Sequence, residues 1–135
     1  CVHRKGATRA FPAGHPEVPE AYRAVGQPVL IPGDMGRYSF LLVGQGRAMD
    51  ETFGSVCHGA GRAMSRGQAR RTVRGEDVRR RLGARGITVM SRSAKGLAEE
   101  FSGAYKDVAE VVEVVEKAGL ARKVCRLRPM GVIKG

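Results

Sequence analysis

Residues 28–44 read Pro-Val-Leu-Ile-Pro-Gly-Asp-Met-Gly-Arg-Tyr-Ser-Phe-Leu-Leu-Val-Gly, and they contain two short apolar runs. Residues 28–33 predict a strand that a Pro-Gly turn stops. Residues 37–44 predict a second strand, apolar enough to be buried on both faces. The segment 33–36 between them holds two glycines, which permit positive φ and a close approach of the backbone to a ligand. We therefore expect two strands joined by a tight connection that a ligand can approach.

The clearest helix follows residue 107. Asp107 is suited to be its N-cap, with Glu110 three residues on as in a capping box, and Gly119 is suited to end it. Its apolar stripe consists of Val108, Val111, Val112 and Val115. We expect this helix to pack on a sheet and to take no part in chemistry.

The remaining elements are predicted to be short. Residues 1–27 read as ordered loop with a turn of helix, 87–90 as a strand and 97–101 as a helical turn. A helix is expected from residue 63 onwards, but residues 67–86 hold too few apolar side chains for a buried face and predict a loop or a frayed helix. The fold class expected from this pattern is α+β, with short strands and a C-terminal amphipathic helix.

Composition limits the class of protein. The chain has 135 residues, 42% of them hydrophobic, which allows one domain with a core. It has neither the roughly 20 consecutive apolar residues of a membrane span nor an apolar signal segment at its start. Its cysteines, Cys1, Cys57 and Cys125, are odd in number and far apart, which argues against a disulfide framework or a zinc site. A reducing, cytoplasmic setting is expected.

The positive charge is concentrated in one part of the chain. Residues 62–92 contain ten arginines and two acidic residues, which supply +8 of the net charge of +11. Arginine suits phosphate groups, because its guanidinium grips two oxygens at once. A solvated face would give the same pattern, so the block predicts contact with a polyanion without identifying it.

Residues 57–66 read Cys-His-Gly-Ala-Gly-Arg-Ala-Met-Ser-Arg and carry the strongest local signal of chemistry. The small residues after His58 leave the backbone free to cradle a phosphate at the start of a helix. Arg62 and Arg66 stand four apart, which would place both on one helical face beside the same anion. A neutral imidazole in this setting could attack phosphorus; alternatively, His58 is a polar residue satisfied in a turn.

Residues 54–66 closely resemble the signature of the RtcB family, the GTP-dependent RNA-splicing ligases. Three further blocks resemble the family in the same order, at residues 1–11, 26–36 and 127–135. The resemblance implies that residues 1–135 are the C-terminal part of a single ligase domain of the RtcB-type fold.

The resemblance also implies a reaction. Members of the family join an RNA 2′,3′-cyclic phosphate or 3′-phosphate end to a 5′-hydroxyl end, using GTP and Mn²⁺. The histidine that matches His58 attacks the α-phosphate of GTP and becomes guanylylated, and the guanylyl group then passes to the RNA. The RNA partners expected are tRNA halves or broken RNA ends.

Positions that match guanylate contacts of the family are Pro32, Gly33, Asp34, Met35, Ser39, His58, Gly59, Ala60, Gly61, Tyr105 and Lys134. Tyr105 offers a face for the base, and Lys134 is a donor suited to the guanine O6 acceptor. Asp34 departs from the family, where a small polar residue is usual, but a carboxylate could still accept from guanine. Arg62 and Arg66 are expected to hold the RNA phosphate.

The metal ligands of the family, an Asp, a Cys and three histidines, lie upstream of the part that this chain matches. No metal ligand is assigned here, and His3 and His15 are expected to lie in loops. The chain is therefore expected to be a fragment, inactive by itself, whose partner is the missing part of the ligase. An initial Cys fits either a truncated reading frame or a segment released by an intein.

Two other functions fit parts of the sequence. A basic, non-catalytic RNA-binding module would explain the arginine block but would not need the His-Gly-Ala-Gly turn. A different phosphohistidine enzyme, such as a phosphotransferase, would use His58 without requiring Lys134 to recognise guanine. The nucleotide that labels the protein distinguishes this last reading from a ligase.

Overall fold

The computed structural model describes residues 1–134, which form strands and helices in a mixed order. The strands are β1 (Ala7–Arg9), β2 (Pro28–Ile31), β3 (Ser39–Gly44), β4 (Ser55–Cys57), β5 (Thr88–Ser91), β6 (Ala121–Leu127) and β7 (Gly131–Lys134). The helices are α1 (Glu20–Arg23), α2 (Gly46–Thr52), α3 (Arg66–Thr72), α4 (Gly75–Gly83), α5 (Ala94–Glu99) and α6 (Val108–Lys117), with a 3₁₀ turn at Ser102–Ala104. The α+β class is confirmed.

The central sheet is antiparallel and has the order β2-β3-β6. Strand β3 lies in the middle, and Phe40, Leu42 and Val43 on it are buried, as its apolar sequence predicted. The pairing of β3 with β6 shifts register between Leu41 and Leu42, which marks a bulge. The two predicted strands are each shorter than expected, so residues 32–38 form the connection between them.

Helix α6 packs on this sheet, as predicted. Val108 and Val112 are fully buried and share a cluster with Ile31 and Leu42. The Asp107 carboxylate accepts from the backbone N–H of Ala109 at 2.8 Å, which confirms the N-cap. We call the apolar cluster between this sheet and α6 the first cluster; Gly119, with φ of +68°, follows the helix.

Two further pairs of strands place residues that the sequence analysis singled out. Strands β1 and β4 pair antiparallel, with Ala7 opposite Cys57, so that His58 directly follows a paired strand. Strands β5 and β7 pair in parallel, with Ser91 opposite Lys134. Strands β1 and β4 were not predicted, because three-residue strands carry no apolar pattern and their pairing joins segments about fifty residues apart.

The prediction of a loop or frayed helix at residues 67–86 is wrong, because α3 and α4 cover most of it. Val78 and Leu82 lie one helical turn apart on α4 and are buried in a second cluster with Met35 and Leu97. A short helix needs only such a narrow stripe. Gly75 lets α4 approach α5 closely, since a Cβ there would lie 1.8 Å from the carbonyl oxygen of Ala94.

The connection 32–38 leads from the first cluster into the second and is held by the side chain of Asp34, which is fully buried. Its carboxylate accepts from the backbone N–H groups of Gly36 and Arg37, both at 3.0 Å, and from the hydroxyl of Ser102. Its other oxygen lies 2.6 Å from Nε of Arg37. Gly33 is required for close packing, because a Cβ there would lie 2.1 Å from the carbonyl oxygen of Tyr38; positive φ is not used.

Burial alone would raise the pKa of the Asp34 carboxyl. The hydrogen bonds from Ser102 and Gly36 and the charge of Arg37 outweigh it, so the pKa lies below its ordinary value of 3.8. The carboxylate is thus ionised and tied into the fold at neutral pH. Within residues 1–134, no helix is both long enough and apolar enough to cross a membrane.

Replacing Leu42 tests the position of β3 at the centre of the first cluster. Leu42 is fully buried, so Leu42→Ala should lower the free energy of unfolding by about 2–5 kcal/mol, measured by urea denaturation. Leu30→Ala on neighbouring β2 is the matched control, because Leu30 is 62% exposed and should change stability by less than about 0.5 kcal/mol. Equal losses in the two variants would contradict the described packing.

Asp34→Asn tests the buried carboxylate. A pKa that is lower in the folded state contributes stability in full above the unfolded pKa of about 3.9, and this contribution is lost as the pH falls through the folded value. Asp34→Asn should lower stability at pH 7 by roughly 1–3 kcal/mol, and its stability should fall less on acidification than that of the parent chain. Denaturation midpoints between pH 7 and pH 2 measure both effects, and exposed Asp50→Asn should retain the parent's profile.

Candidate functional site

A cleft of about 520 Å³ opens where the connection 32–38, the turn after β4 and the end of β7 meet. Its volume is in the range typical of small-molecule sites. The residues that line it are Gly6, Pro32, Gly33, Asp34, Met35, Ser39, His58, Gly59, Ala60, Gly61, Glu100, Tyr105 and Lys134. All eleven positions singled out from the sequence as guanylate contacts therefore line one cleft, together with Gly6 and Glu100, which the sequence analysis missed.

His58 lies at the rim of this cleft. It follows the last residue of β4 and is exposed, so its imidazole is accessible to a ligand. The backbone N–H of Ala60 donates to the carbonyl oxygen of Pro32 at 3.1 Å, which joins the turn to the connection 32–38. The two loops that line this side of the cleft are thus held together by their backbones.

The expected helix start at residue 63 is wrong. Helix α3 begins at Arg66, and its N-cap is Ser65, whose hydroxyl accepts from the N–H of Gln68 at 3.2 Å. The His58 turn is therefore separate from the helix N-terminus. Any phosphate contact in the turn has to be made by loop backbone rather than by the end of α3.

Arg62 and Arg66 do not share a helical face, because Arg62 precedes the helix. The Arg62 guanidinium donates to the carbonyl oxygens of Met64 and Glu99, at 3.0 and 2.7 Å. It also lies 3.2 Å from Glu100 Oε1 and over the ring of Tyr105. Arg66 is 67% exposed and lies 3.7 Å from carboxylate oxygens of both Glu99 and Glu100. Arg62 is built into the protein, whereas Arg66 faces solvent.

Asp34 contributes to the cleft through its backbone. Its carboxylate has no exposed surface and is engaged by Gly36, Arg37 and Ser102, so no oxygen of it faces the cleft. The hydroxyl of Ser39 accepts from the backbone N–H of Gly33 at 3.4 Å and thereby supports the same loop.

Tyr105 and Lys134 meet on the carboxylate of Glu100. The Tyr105 hydroxyl donates to Glu100 Oε2, and Lys134 Nζ lies 3.3 Å from the same oxygen. Burial raises the pKa of Glu100, but the bond from Tyr105 and the charges of Lys134 and Arg62 lower it below its ordinary 4.5. Burial and the Glu100 carboxylate raise the pKa of Tyr105. At neutral pH the site therefore presents an ionised Glu100 and a protonated phenol.

Cys57 precedes His58 but is not suited to be a nucleophile. Burial raises the pKa of its thiol above 9.0, against the lowering effect of nearby backbone N–H groups, so the reactive thiolate is scarce at neutral pH. Its side chain packs partly against the first cluster. The three cysteines are free thiols.

The part of the chain that the structure describes holds no group of three or more His, Cys, Asp or Glu side chains that could bind a metal ion. Residues 1–134 thus offer no ligand set that fits Mn²⁺.

Six of the ten arginines of the block lie on α3 and α4, and the other four, Arg62, Arg74, Arg85 and Arg92, lie outside these helices. Arg70 pairs with Glu99 at 3.1 Å and Arg80 with Asp77 at 2.8 Å. Other members, among them Arg71, Arg74 and Arg81, are exposed. The block is thus largely helix surface, with some arginines paired with acidic residues and others open to solvent.

Comparison with known proteins identifies the family that the chain resembles. The model of the family described as tRNA-splicing ligase RtcB matches residues 1–135. The chain is 62% identical over 134 residues to a tRNA-splicing ligase RtcB of Thermococcus kodakarensis and 58% identical over 135 residues to one of Archaeoglobus fulgidus. These two matches include 99% and 100% of this chain, respectively, but only 28% of the length of each relative. A relative from Pyrococcus horikoshii is 60% identical over 134 residues, and the match spans 15% of its length.

The match extends over the whole chain, including the connection 32–38, the His58 turn and the segment that ends in Lys134, so the residues of the cleft all fall inside it. The similarity to the relatives is likewise continuous rather than confined to one motif. The chain belongs to the tRNA-splicing ligase RtcB family.

Proposed function

We propose that this chain is the guanylate-binding part of an RNA ligase in which His58 becomes guanylylated. The ligase would join RNA 2′,3′-cyclic phosphate or 3′-phosphate ends to 5′-hydroxyl ends, in tRNA halves or broken RNA. One observation supports this most strongly: residues from five separate parts of the sequence line one cleft with the exposed His58 at its rim.

The chemistry proposed for His58 is a nucleophilic displacement. A ring nitrogen of neutral His58 attacks the α-phosphorus of GTP, an N–P bond forms, and pyrophosphate leaves with the electron pair of the broken P–O bond. A 2′,3′-cyclic phosphate end is first opened by water, whose oxygen bonds to the phosphorus while the 2′ P–O bond breaks, which leaves a 2′-hydroxyl and a 3′-phosphate. An oxygen of the RNA 3′-phosphate then attacks the phosphorus bound to His58, and the N–P bond breaks to release the imidazole. Finally the 5′-hydroxyl oxygen attacks the activated RNA phosphate, loses its proton, and GMP leaves.

The other side chains of the cleft would bind and orient the nucleotide. Lys134 is 35% exposed in the cleft and offers N–H donors to an acceptor such as guanine O6. Tyr105 offers an aromatic face to the base. The guanidinium of Arg62 lies over the Tyr105 ring, 4.9 Å from its centre. Gly59 and Gly61 leave the backbone beside His58 accessible to phosphate oxygens.

Several parts of the proposal concern the whole protein. The chain spans 28% or less of the relatives described above, so activity is expected only together with further sequence. A dependence on Mn²⁺ is part of the proposal, with its ligands outside these 135 residues, and this chain alone is expected to be inactive. A cytoplasmic setting is proposed because the three cysteines are free thiols.

A basic, non-catalytic RNA-binding module is the second candidate. The exposed arginines of α3 and α4 favour it, because phosphate contacts supply most non-specific affinity for nucleic acid. Such a module would bind RNA with or without a nucleotide cleft. A phosphotransferase would label His58 from nucleotides other than GTP as readily as from GTP.

His58→Ala tests the nucleophile. The suitable protein is a chimera in which this chain replaces the matching 134-residue segment of the Thermococcus kodakarensis relative. With radiolabelled GTP and Mn²⁺, the parent chimera should form a covalent adduct, and His58→Ala should form none because no imidazole is left at the cleft rim.

Two histidines outside the cleft serve as controls for that experiment. His3 is exposed and His15 stacks on Phe11, so His3→Ala and His15→Ala should keep the adduct. An undiminished adduct in His58→Ala would remove His58 from the mechanism. Labelling by ATP as strong as by GTP would favour a phosphotransferase, and RNA binding without any adduct would favour the binding module.

Arg66→Ala tests the RNA phosphate contact. Loss of one contact should reduce the slope of log affinity against log salt concentration by about one unit, measured by RNA binding of the chimera between 50 and 200 mM salt. Arg47 on α2 is exposed and paired with Glu51, so Arg47→Ala is the matched control and should leave the slope unchanged. An unchanged slope in Arg66→Ala would assign Arg66 to the solvated surface. The role of Arg62 in phosphate binding stays a prediction, since its replacement would also remove four internal hydrogen bonds.

A further inference from the structure

Glu100 is an acidic residue in the cleft that neither the charge pattern nor the family resemblance singled out. It follows α5 directly, and its side chain is 17% exposed. Both carboxylate oxygens face groups that belong to the cleft or border it. A largely buried charge with this many partners is held in one place.

The two oxygens of Glu100 face different sides. Oε2 accepts from the Tyr105 hydroxyl and lies 3.3 Å from Lys134 Nζ, on the side of the cleft. Oε1 lies 3.2 Å from the Arg62 guanidinium and 3.7 Å from that of Arg66, on the side of α3. Arg62 also donates to the Tyr105 hydroxyl at 3.1 Å. Glu100, Tyr105 and Arg62 therefore each contact the other two, and this network also holds Lys134.

Lys134 depends on this network for its position. Its side chain is a flexible four-carbon stem that carries a strongly hydrated point charge. The contact with Glu100 lies in a half-buried setting, which is where an ion pair fixes a side chain better than at an exposed surface. Tyr105 is fixed in the same way, because its hydroxyl contacts both Glu100 and Arg62.

We propose that Glu100 is a positioning residue that holds Lys134 and Tyr105 in the orientation in which they receive the base of the nucleotide. The role rests on the proposed function, in which these two side chains contact guanine. It concerns affinity and base selectivity rather than the step at His58, because Glu100 contacts the two base-facing groups together with Arg62 and Arg66.

The role predicts a selective defect. A fixed Lys134 donor favours a base with an acceptor at the matching position, such as guanine O6, over adenine, which presents an N–H₂ donor there. Releasing Lys134 should therefore weaken the binding of GTP more than the binding of ATP. A loss of general structural integrity would instead lower the rate with every nucleotide.

Glu100→Gln in the chimera is the direct test, with the steady-state rate of RNA ligation measured over a range of GTP concentrations. KM for GTP should rise about tenfold, the factor that corresponds to about 1.4 kcal/mol, while kcat stays within about twofold. KM for ATP should change little, which narrows the discrimination between the two nucleotides. Glu113→Gln removes the same charge from an exposed pair with Lys117 on α6 and should change neither parameter.

Two more variants separate positioning from folding. Glu100→Asp keeps the charge and should recover part of the GTP affinity. In a Lys134→Met background, Glu100→Gln should have a much smaller further effect on KM, since a residue that acts through Lys134 has little left to position. Additive effects, a fall in kcat with unchanged KM, or equal losses with GTP and ATP would each overturn the proposal.

A spectroscopic measurement on the 135-residue chain makes the test independent of ligase activity. The Glu100 carboxylate helps to raise the pKa of Tyr105, so Glu100→Gln should lower that pKa in an ultraviolet titration, with Tyr105→Phe identifying the signal. An unchanged Tyr105 pKa would overturn the network itself. If the Tyr105 pKa of the chain shifts as expected but the chimera forms no GTP adduct at all, the network stands and the proposed function is contradicted.

Discussion

The buried carboxylate of Asp34 joins the two hydrophobic clusters of the molecule. The chain leaves the first cluster at Ile31 and enters the second at Met35, so its backbone turns sharply in an apolar setting. Unsatisfied N–H groups there would be costly. Asp34 accepts from two of them and binds Ser102 from the segment that precedes α6, which allows the cleft to form between the clusters.

Arg37 extends this constraint to the far side of the cleft. Its guanidinium lies 2.6 Å from Asp34 and donates to the carbonyl oxygens of Ser102 and Tyr105, at 2.7 and 2.9 Å. Tyr105 in turn contacts Glu100. Hydrogen bonds of Arg37 thus hold the backbone of Tyr105, and hydrogen bonds of Glu100 and Arg62 hold its hydroxyl, so Tyr105 links the connection 32–38 to the side chains on the far side of the cleft. Polar networks of this kind rigidify a site when every member is satisfied.

The parts of the fold that local patterns encode could be predicted, and those that depend on distant partners could not. The apolar pattern of residues 28–44 and the valine stripe of α6 predict from the local sequence which of their residues are buried. The sequences of α3 and α4 do not predict burial in this way, because only a few small or apolar residues on these helices are buried. The cleft residues were assigned by family resemblance, and Glu100 was missed because its role depends on partners up to 38 residues away.

Acidic residues decide which cations of this strongly basic chain take part in its structure. The chain has 24 Lys and Arg against 13 Asp and Glu, so many cations have no acidic partner available. Glu100 and Asp34 engage Arg62 and Arg37, whose side chains are only about a quarter exposed. Arg66, by contrast, is two-thirds exposed and only loosely paired. Cations next to the cleft are thereby divided into those that shape it and those that remain accessible to a polyanion.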